Sequence, residues 1–303
     1  MKTARRLRLA TRGSALALAQ TGQVIEVLKT RNPEYEFETV IVETRGDRMQ
    51  KEAIKPGEAT KDIFTKEIET ALLDGRADAA VHSAKDLGVR LAEGLVLVGC
   101  PPRRDPRDVL VEKDKLHEDP SGWILTGSIR RTLQWSALYP QDHIEPIRGN
   151  IDSRIKKFLS HPHASGLILA KAGLLRLEPD LTGCRLRDLS CEEMLPAPGQ
   201  GSLALECRMD DTVSRSLLDS ICHMPSSLCL RAERAFLAAM DAGCQEPLGA
   251  LATIVPGSMM EVRAVYFDQT EEGVYGKPLH AKVCGPASKP EELGQLLAVE
   301  LFP

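Results

Sequence analysis

No two cysteines of this chain are spaced as C-x-x-C, although it has eight of them, at 100, 184, 191, 207, 222, 229, 244 and 284. That absence argues against the usual structural zinc site and against a dithiol redox centre, so no metal is expected. Free thiols in a reducing compartment are the ordinary reading for seven of the eight. No apolar run approaches the ~20 residues of a membrane span. The start, Met1-Lys2-Thr3-Ala4-Arg5-Arg6, leads into a strand-like run and not into the apolar core of a signal peptide, so a cytoplasmic protein is expected. There is little excess charge: a net −4 gives no reason to expect nucleic acid or an acidic membrane as partner. A glycine-rich phosphate loop is also missing, which removes the usual signature of phosphate-dependent transfer.

What is present is a chain of 303 residues, long enough for two or three domains. Its first hundred residues alternate strand-like and helix-like runs, which predicts an α/β lobe with a largely parallel sheet. Pro101-Pro102-Arg103-Arg104-Asp105-Pro106 breaks the rhythm, and a second α/β run follows up to Leu195-Pro196-Ala197-Pro198-Gly199-Gln200-Gly201. Ser202 to Cys207 reads as a strand again, followed by two helical runs, apolar alternations near 250–255 and 259–266, and a final helix. The boundaries that follow are 1–101 with a return segment at 202–219 for lobe one, 102–201 for lobe two, and 220–303 for a small α+β C-terminal domain.

Three features carry chemistry. Cys244 sits in Asp241-Ala242-Gly243-Cys244-Gln245, between Gly and Gln just past a long amphipathic helix. A tight exposed turn there would let a thiol carry a covalent group, although a lone cysteine is more often idle. Arg12-Gly13-Ser14 and Gly127-Ser128-Ile129-Arg130 share one plan, strand, Gly, Ser, helix, and each leaves helix-start amides for an anion. A Gly-Ser turn is equally a common cap, so shape alone leaves both readings open. Finally, Arg12, Arg45, Arg130, Arg131, Arg148, Arg154 and Arg176 stand at strand ends and helix starts. Arg130 and Arg131 open a helix, where the dipole disfavours cations, which argues for a ligand. Guanidinium forks match carboxylates, so the set suits a polycarboxylate. Asp86, after a buried strand and beside Lys85, would stay ionised in such a cleft and stabilise a developing cation. His82 reads as structural. These residues alone leave a non-catalytic module clamping a dicarboxylate as the rival.

The motifs, taken in order, settle on a resemblance. Ala10-Thr11-Arg12-Gly13-Ser14, Thr44-Arg45-Gly46-Asp47, Asp62-Ile63-Phe64-Thr65-Lys66-Glu67, Val81-His82-Ser83-Ala84-Lys85-Asp86 and Asp105-Pro106-Arg107-Asp108 come first. Ile147-Arg148-Gly149-Asn150, Leu169-Ala170-Lys171-Ala172-Gly173-Leu174, Leu195 to Gly201 and Gly243-Cys244-Gln245 follow. The chain resembles the porphobilinogen deaminase (hydroxymethylbilane synthase) family of tetrapyrrole biosynthesis. The resemblance implies two hinged α/β lobes like those of bilobal periplasmic binding proteins, plus the small C-terminal domain. It implies a transferase that joins four porphobilinogen molecules head to tail, with loss of ammonia, on a dipyrromethane cofactor held by the thiol of Cys244. Asp86 and Lys85 are then the catalytic residues. Ser83, Lys85, Asp86, Thr126, Ser128, Arg130, Arg131, Arg148 and Gly149 are the expected cofactor contacts. Arg12, Ser14, Lys61, Phe64, Arg148, Arg154 and Arg176 are the expected substrate contacts. The expected partners are porphobilinogen and, by hand-over of product, uroporphyrinogen III synthase; the enzyme is expected to be a monomer without nucleic-acid or membrane partners. The chain departs from the family pattern at Asp62, Gly88, Gly127 and Ala242.

Overall fold

The computed structural model describes residues 5–45, 65–114, 122–241, 246–270 and 273–302. Its elements begin with β1 (Arg5–Thr11), α1 (Ala15–Arg31), β2 (Tyr35–Ile41), α2 (Lys66–Leu73), β3 (Ala79–Ser83) and β4 (Leu95–Gly99). Next are β5 (Asp108–Lys113), β6 (Trp123–Leu125), α3 (Ile129–Leu138), β7 (His143–Glu145), α4 (Ile151–Ser160), β8 (Gly166–Ala170), α5 (Lys171–Leu177) and β9 (Cys184–Asp188). The chain ends with β10 (Leu203–Arg208), α6 (Thr212–Asp219), α7 (Met224–Ala239), β11 (Leu248–Val255), β12 (Met259–Gln269), β13 (Tyr275–Pro286) and α8 (Pro290–Leu301). None of the described helices is long and apolar enough to cross a membrane. Two compact units result: Met1–Arg103 with Ser202–Leu230, and Arg104–Gly201 with Arg231–Pro303.

The first unit is built on a five-stranded sheet of order β2-β1-β3-β10-β4. Strand alternation sorts its side chains onto two faces. Leu7, Leu9, Ala79, Val81, Leu203 and Leu205 pack with Val24 and Leu28 of α1 and Leu218 of α6. Ala10 and Ala80, one residue out of step, pack on the other face with Ile68, Ala71 and Leu72 of α2. Leu9, Leu28 and Leu72 are each fully buried, worth roughly 1.5–3 kcal/mol apiece. Helix α1 starts where Ser14 accepts the Ala17 amide and presents Gln20, Thr21, Val24, Ile25 and Leu28 as its buried stripe. The sheet is less parallel than its alternating pattern predicts, because β10 runs antiparallel to both β3 and β4. The reason is local: the chain enters β10 at the carboxyl end of β3, where the Ala84 amide donates to the Ser202 carbonyl at 3.0 Å, so β10 can only run back.

The second unit repeats the plan. Its five-stranded sheet has the order β7-β6-β8-β5-β9, with β7, β6 and β8 parallel and β5 antiparallel to both its neighbours. Val109, Val111, Leu125, Leu167 and Leu169 pack on Phe158 of α4, and Leu110, Ile124 and Ile168 on Trp135 of α3. A three-stranded antiparallel sheet, β11-β12-β13, packs with α8 to form the small α+β part. The fold class read from the sequence, two α/β lobes with a small α+β addition, is the one observed. Strand β13 was missing from the sequence reading because Gly276 and Pro278 lie inside it; it is an edge strand, where proline is tolerated.

The departure at Gly127 has a steric cause in this unit. A Cβ on Gly127 would stand 2.4 Å from the Ile147 carbonyl oxygen, closer than real contacts allow. Gly127→Ser is therefore expected to cost about 1–3 kcal/mol through overpacking. Calorimetry should show a melting temperature lower by several degrees; an unchanged value would mean that the backbone gives way freely.

Candidate active site

In the first unit, the parallel strands β2, β1 and β3 end at one edge of the sheet, the place where α/β folds collect ligands. Arg12 and Ser14 follow β1 at that edge, and Ser83, Lys85 and Asp86 lie at the end of β3 and in the short 3₁₀ turn Ala84–Asp86. Arg12, Ser14, Gln20, Thr65, His82, Ser83 and Asp86 line a cavity that opens to solvent. The sequence reading thus brings four of its site residues, Arg12, Ser14, Ser83 and Asp86, to one place, with Lys85 adjacent in the chain.

The polar groups around the cavity are held differently. Ser83 and Gln20 bond to each other: Gln20 Nε2 donates to Ser83 Oγ at 2.9 Å, and Ser83 Oγ donates to Gln20 Oε1 at 3.1 Å. His82 Nε2 lies 2.8 Å from Glu206 Oε2, with both side chains almost wholly buried, as a structural role requires. Asp86 is the exception. It is half-buried, and among the described residues its carboxylate makes no hydrogen bond or ion pair. A carboxylate in a cavity with no partner among the described residues is a group kept available for a ligand.

The second unit carries its expected residues at the equivalent edge. Thr126 and Ser128 follow β6, Arg148 and Gly149 follow β7, and Arg176 lies in α5 after β8. The Ser-containing turns after β1 and β6 therefore occupy the same position in the two sheets. Thr126 is buried and its Oγ1 accepts the Ser128 amide at 3.3 Å. Arg148 is exposed, its carbonyl accepting from Lys157 Nζ at 2.9 Å. Gly149 has a φ of 119° and accepts from Arg154 Nε at 2.7 Å, which lays the Arg154 side chain over the start of α4.

Three arginines here are buried or nearly so. Arg176 donates from Nη2 to the Gly201 carbonyl at 2.9 Å, while its buried Nε has no partner among the described residues. Burial first, and Arg104 second, pushes its pKa down to about 10, as expected for a cation short of a counter-ion. Arg130 and Arg131 are 3 % and 5 % exposed, deeper than ligand-facing arginines read from sequence would be. Both face Asp108, each at 2.8 Å. Although burial opposes ionisation, these two guanidinium groups hold the Asp108 carboxyl down to about 2.

Cys244, Lys61 and Phe64 lie outside the described residues, as do Asp62 and Ala242. Asp241, three residues before Cys244 in the chain, has a left-handed φ of 47°. Among the described residues no cluster of three His, Cys, Asp or Glu side chains has metal-binding geometry. Sequence reasoning gave no role to Gln20, Thr65 or Asp108. A signal existed for Gln20, a polar residue on the apolar stripe of α1.

Comparison with known proteins bears on this arrangement. The family model "Porphobilinogen deaminase, dipyromethane cofactor binding domain" matches residues 7–216, and "Porphobilinogen deaminase, C-terminal domain" matches residues 227–303. A porphobilinogen deaminase of Thermus thermophilus is 42 % identical over 295 residues, covering 96 % of this chain and 94 % of its own. That of Desulforudis audaxviator is 40 % identical over 297 residues, covering 96 % and 93 %. That of Brevibacillus brevis is 44 % identical over 251 residues, covering 82 % and 80 %. With both family models matched in order along nearly the whole length, the chain belongs to the porphobilinogen deaminase family.

Proposed function

We propose that this chain joins four porphobilinogen molecules head to tail, releases ammonia at each step, and yields linear hydroxymethylbilane, acting as a transferase from a dipyrromethane held on Cys244. The observation that carries the proposal is Asp86: a carboxylate without a partner among the described residues, in a cavity that Arg12 and the N-terminus of α1 also line. When bound, the dipyrromethane supplies the pyrrole carbon to which the first substrate is joined.

The residues fit a group with several carboxylates. Arg176 and Arg131 each have a buried Nε without a partner among the described residues, and a carboxylate would satisfy such donors. The helix start at Ser14 offers amides and a positive dipole end to an acetate or propionate. Asp86 would accept a hydrogen bond from a pyrrole N–H and offset the positive charge that develops as ammonia departs. Lys85, next to it, adds a donor at the same edge. Thr126, Ser128, Arg148, Gly149 and Arg154 would hold the cofactor and the growing chain in the second unit. Lys61 and Phe64 are proposed as further substrate contacts on the strength of the family motif alone. The proposal includes a cytoplasmic monomer that passes its product to uroporphyrinogen III synthase; sedimentation with and without that enzyme tests this part.

Arginine variants separate binding from chemistry. Replacing Arg130, Arg131 or Arg148 with Leu is expected to leave much apoprotein, because assembly itself needs those contacts. Arg12→Leu and Arg154→Leu should retain cofactor but stall with short covalent chains, and Arg176→Leu should alter elongation in the same way. Lysine should rescue poorly at each site, since a point charge cannot make the bidentate contact. Denaturing mass spectrometry after limited porphobilinogen displays the adduct ladder. Ladders like that of the unaltered protein at all six positions would mean that these arginines are not ligand contacts.

A further inference from the structure

Asp108 is fully buried at the start of β5, opposite Ala170 at the end of β8. Its Oδ1 accepts from Arg131 Nη2 and from Gln200 Nε2, both at 2.8 Å. Its Oδ2 lies 2.8 Å from Arg130 Nη1 in an ion pair, and the same Nη1 donates to the Leu195 carbonyl at 2.7 Å. The same carbonyl accepts from Gln134 Nε2 at 3.0 Å, and Arg131 Nη1 donates to the Ile168 carbonyl at 3.0 Å. Two guanidinium groups are therefore pinned by one carboxylate and two backbone oxygens, and the cluster keeps one positive charge in excess. Unused donors remain: Arg131 Nε is buried without a partner, and Arg130 Nε and Nη2 make no hydrogen bond among the described residues.

Buried charge in such an arrangement is weak evidence for a purely stabilising purpose. Burying three ions costs several kcal/mol each, and apolar residues of similar size commonly serve stability as well or better. A preformed receptor has another use for it. Two guanidinium groups fixed before the ligand arrives lose no side-chain freedom on binding. We propose that Asp108 is a positioning residue that sets Arg130 and Arg131 as a two-cation receptor for the carboxylates of the dipyrromethane, so that loading of the cofactor depends on it. This rests on the reading that Arg130 and Arg131 hold cofactor carboxylates. Gln200 extends the device: its Nε2 also donates to the Pro106 carbonyl at 2.8 Å, which ties Asp108 to the Leu195–Gly201 segment of the same unit.

The test is cofactor occupancy, read by denaturing mass spectrometry of purified protein, alongside melting temperature. Asp108→Asn is expected to lower the cofactor-bearing fraction at least tenfold. Asp108→Glu restores the charge but moves it by one methylene; it should recover melting temperature without recovering occupancy, a split that a merely stabilising charge would not produce. Gln200→Leu keeps all three charges and removes the bonds that locate Asp108 through the Gln200 Nε2, and should lower occupancy about threefold. Occupancy equal to that of the unaltered protein in a soluble Asp108 variant would overturn the proposal. If the Asp108 variants do not fold, Gln200→Leu decides, and unchanged occupancy there overturns it equally. Arg130→Leu and Arg131→Leu are measured in parallel. Full occupancy in both removes the underlying reading of the arginines, whereas empty arginine variants beside a fully loaded Asp108→Asn remove only the role given to Asp108.

Discussion

Cys244→Ser is expected to give a protein of unmodified mass and no turnover above background. A serine hydroxyl at neutral pH is a far poorer nucleophile than a thiol. The other cysteines argue for the same site by their surroundings. Cys100, Cys207 and Cys229 are buried. Burial pushes the Cys207 thiol up to about 11 and the Cys222 thiol up to about 12, so neither supplies thiolate at neutral pH. Burial also raises Cys184 and Cys191. Cys284 is exposed on β13 and serves as the control. Cys284→Ser should keep the adduct and the activity. A two-pyrrole adduct on Cys244→Ser would remove Cys244 from the mechanism.

Asp86→Ala should keep the fold and lose roughly three orders of magnitude in kcat, about 4 kcal/mol of transition-state stabilisation. The two halves of this expectation have separate causes. The fold survives because the Asp86 carboxylate has no bond to lose among the described residues, so the melting temperature should stay within about 1 °C, the scale of a surface change. Turnover falls because the only carboxylate among the described residues lining that cavity is gone. Asp86→Glu should retain a small part of the rate, since the charge remains but its distance changes. Single-turnover measurements with porphobilinogen distinguish slow chemistry from slow product release. An alanine variant with unaltered turnover would exclude Asp86 from catalysis.

Much of this site was legible in the chain before any coordinates. Arg12, Ser14 and Asp86 follow strands whose buried pattern is plain, and strand ends in α/β sheets gather at one edge; Ser83 was given only by the family resemblance. Arg130 and Arg131 also stood out, as cations at an unfavourable helix start. What the pattern concealed was their counter-ion. Asp108 lies 22 and 23 residues earlier in the chain and meets them only because β5 pairs antiparallel with β8, a non-local pairing that leaves no local trace. Strand β5 itself went unread, as did the edge strands β9 and β13, whose exposed alternation is broken by charge, glycine and proline. Gln20 was visible as a polar residue out of place on a helix stripe, but its partner Ser83 is 63 residues away.

The position of β10 has a consequence for how the chain is made. It fills the slot between β3 and β4, yet its residues, Leu203–Arg208, are synthesised about a hundred residues after Gly99, on the far side of the whole β5–β9 sheet. The β5–β9 sheet draws every strand from 108 to 188 and can close as soon as those residues leave the ribosome. The earlier sheet cannot. Until β10 emerges, β3 and β4 are two unpaired edges with a gap between them, open to wrong partners. The sheet of the N-terminal unit is therefore the last of the two five-stranded sheets to finish, and the edge that carries Asp86 forms only after the chain has returned to close it.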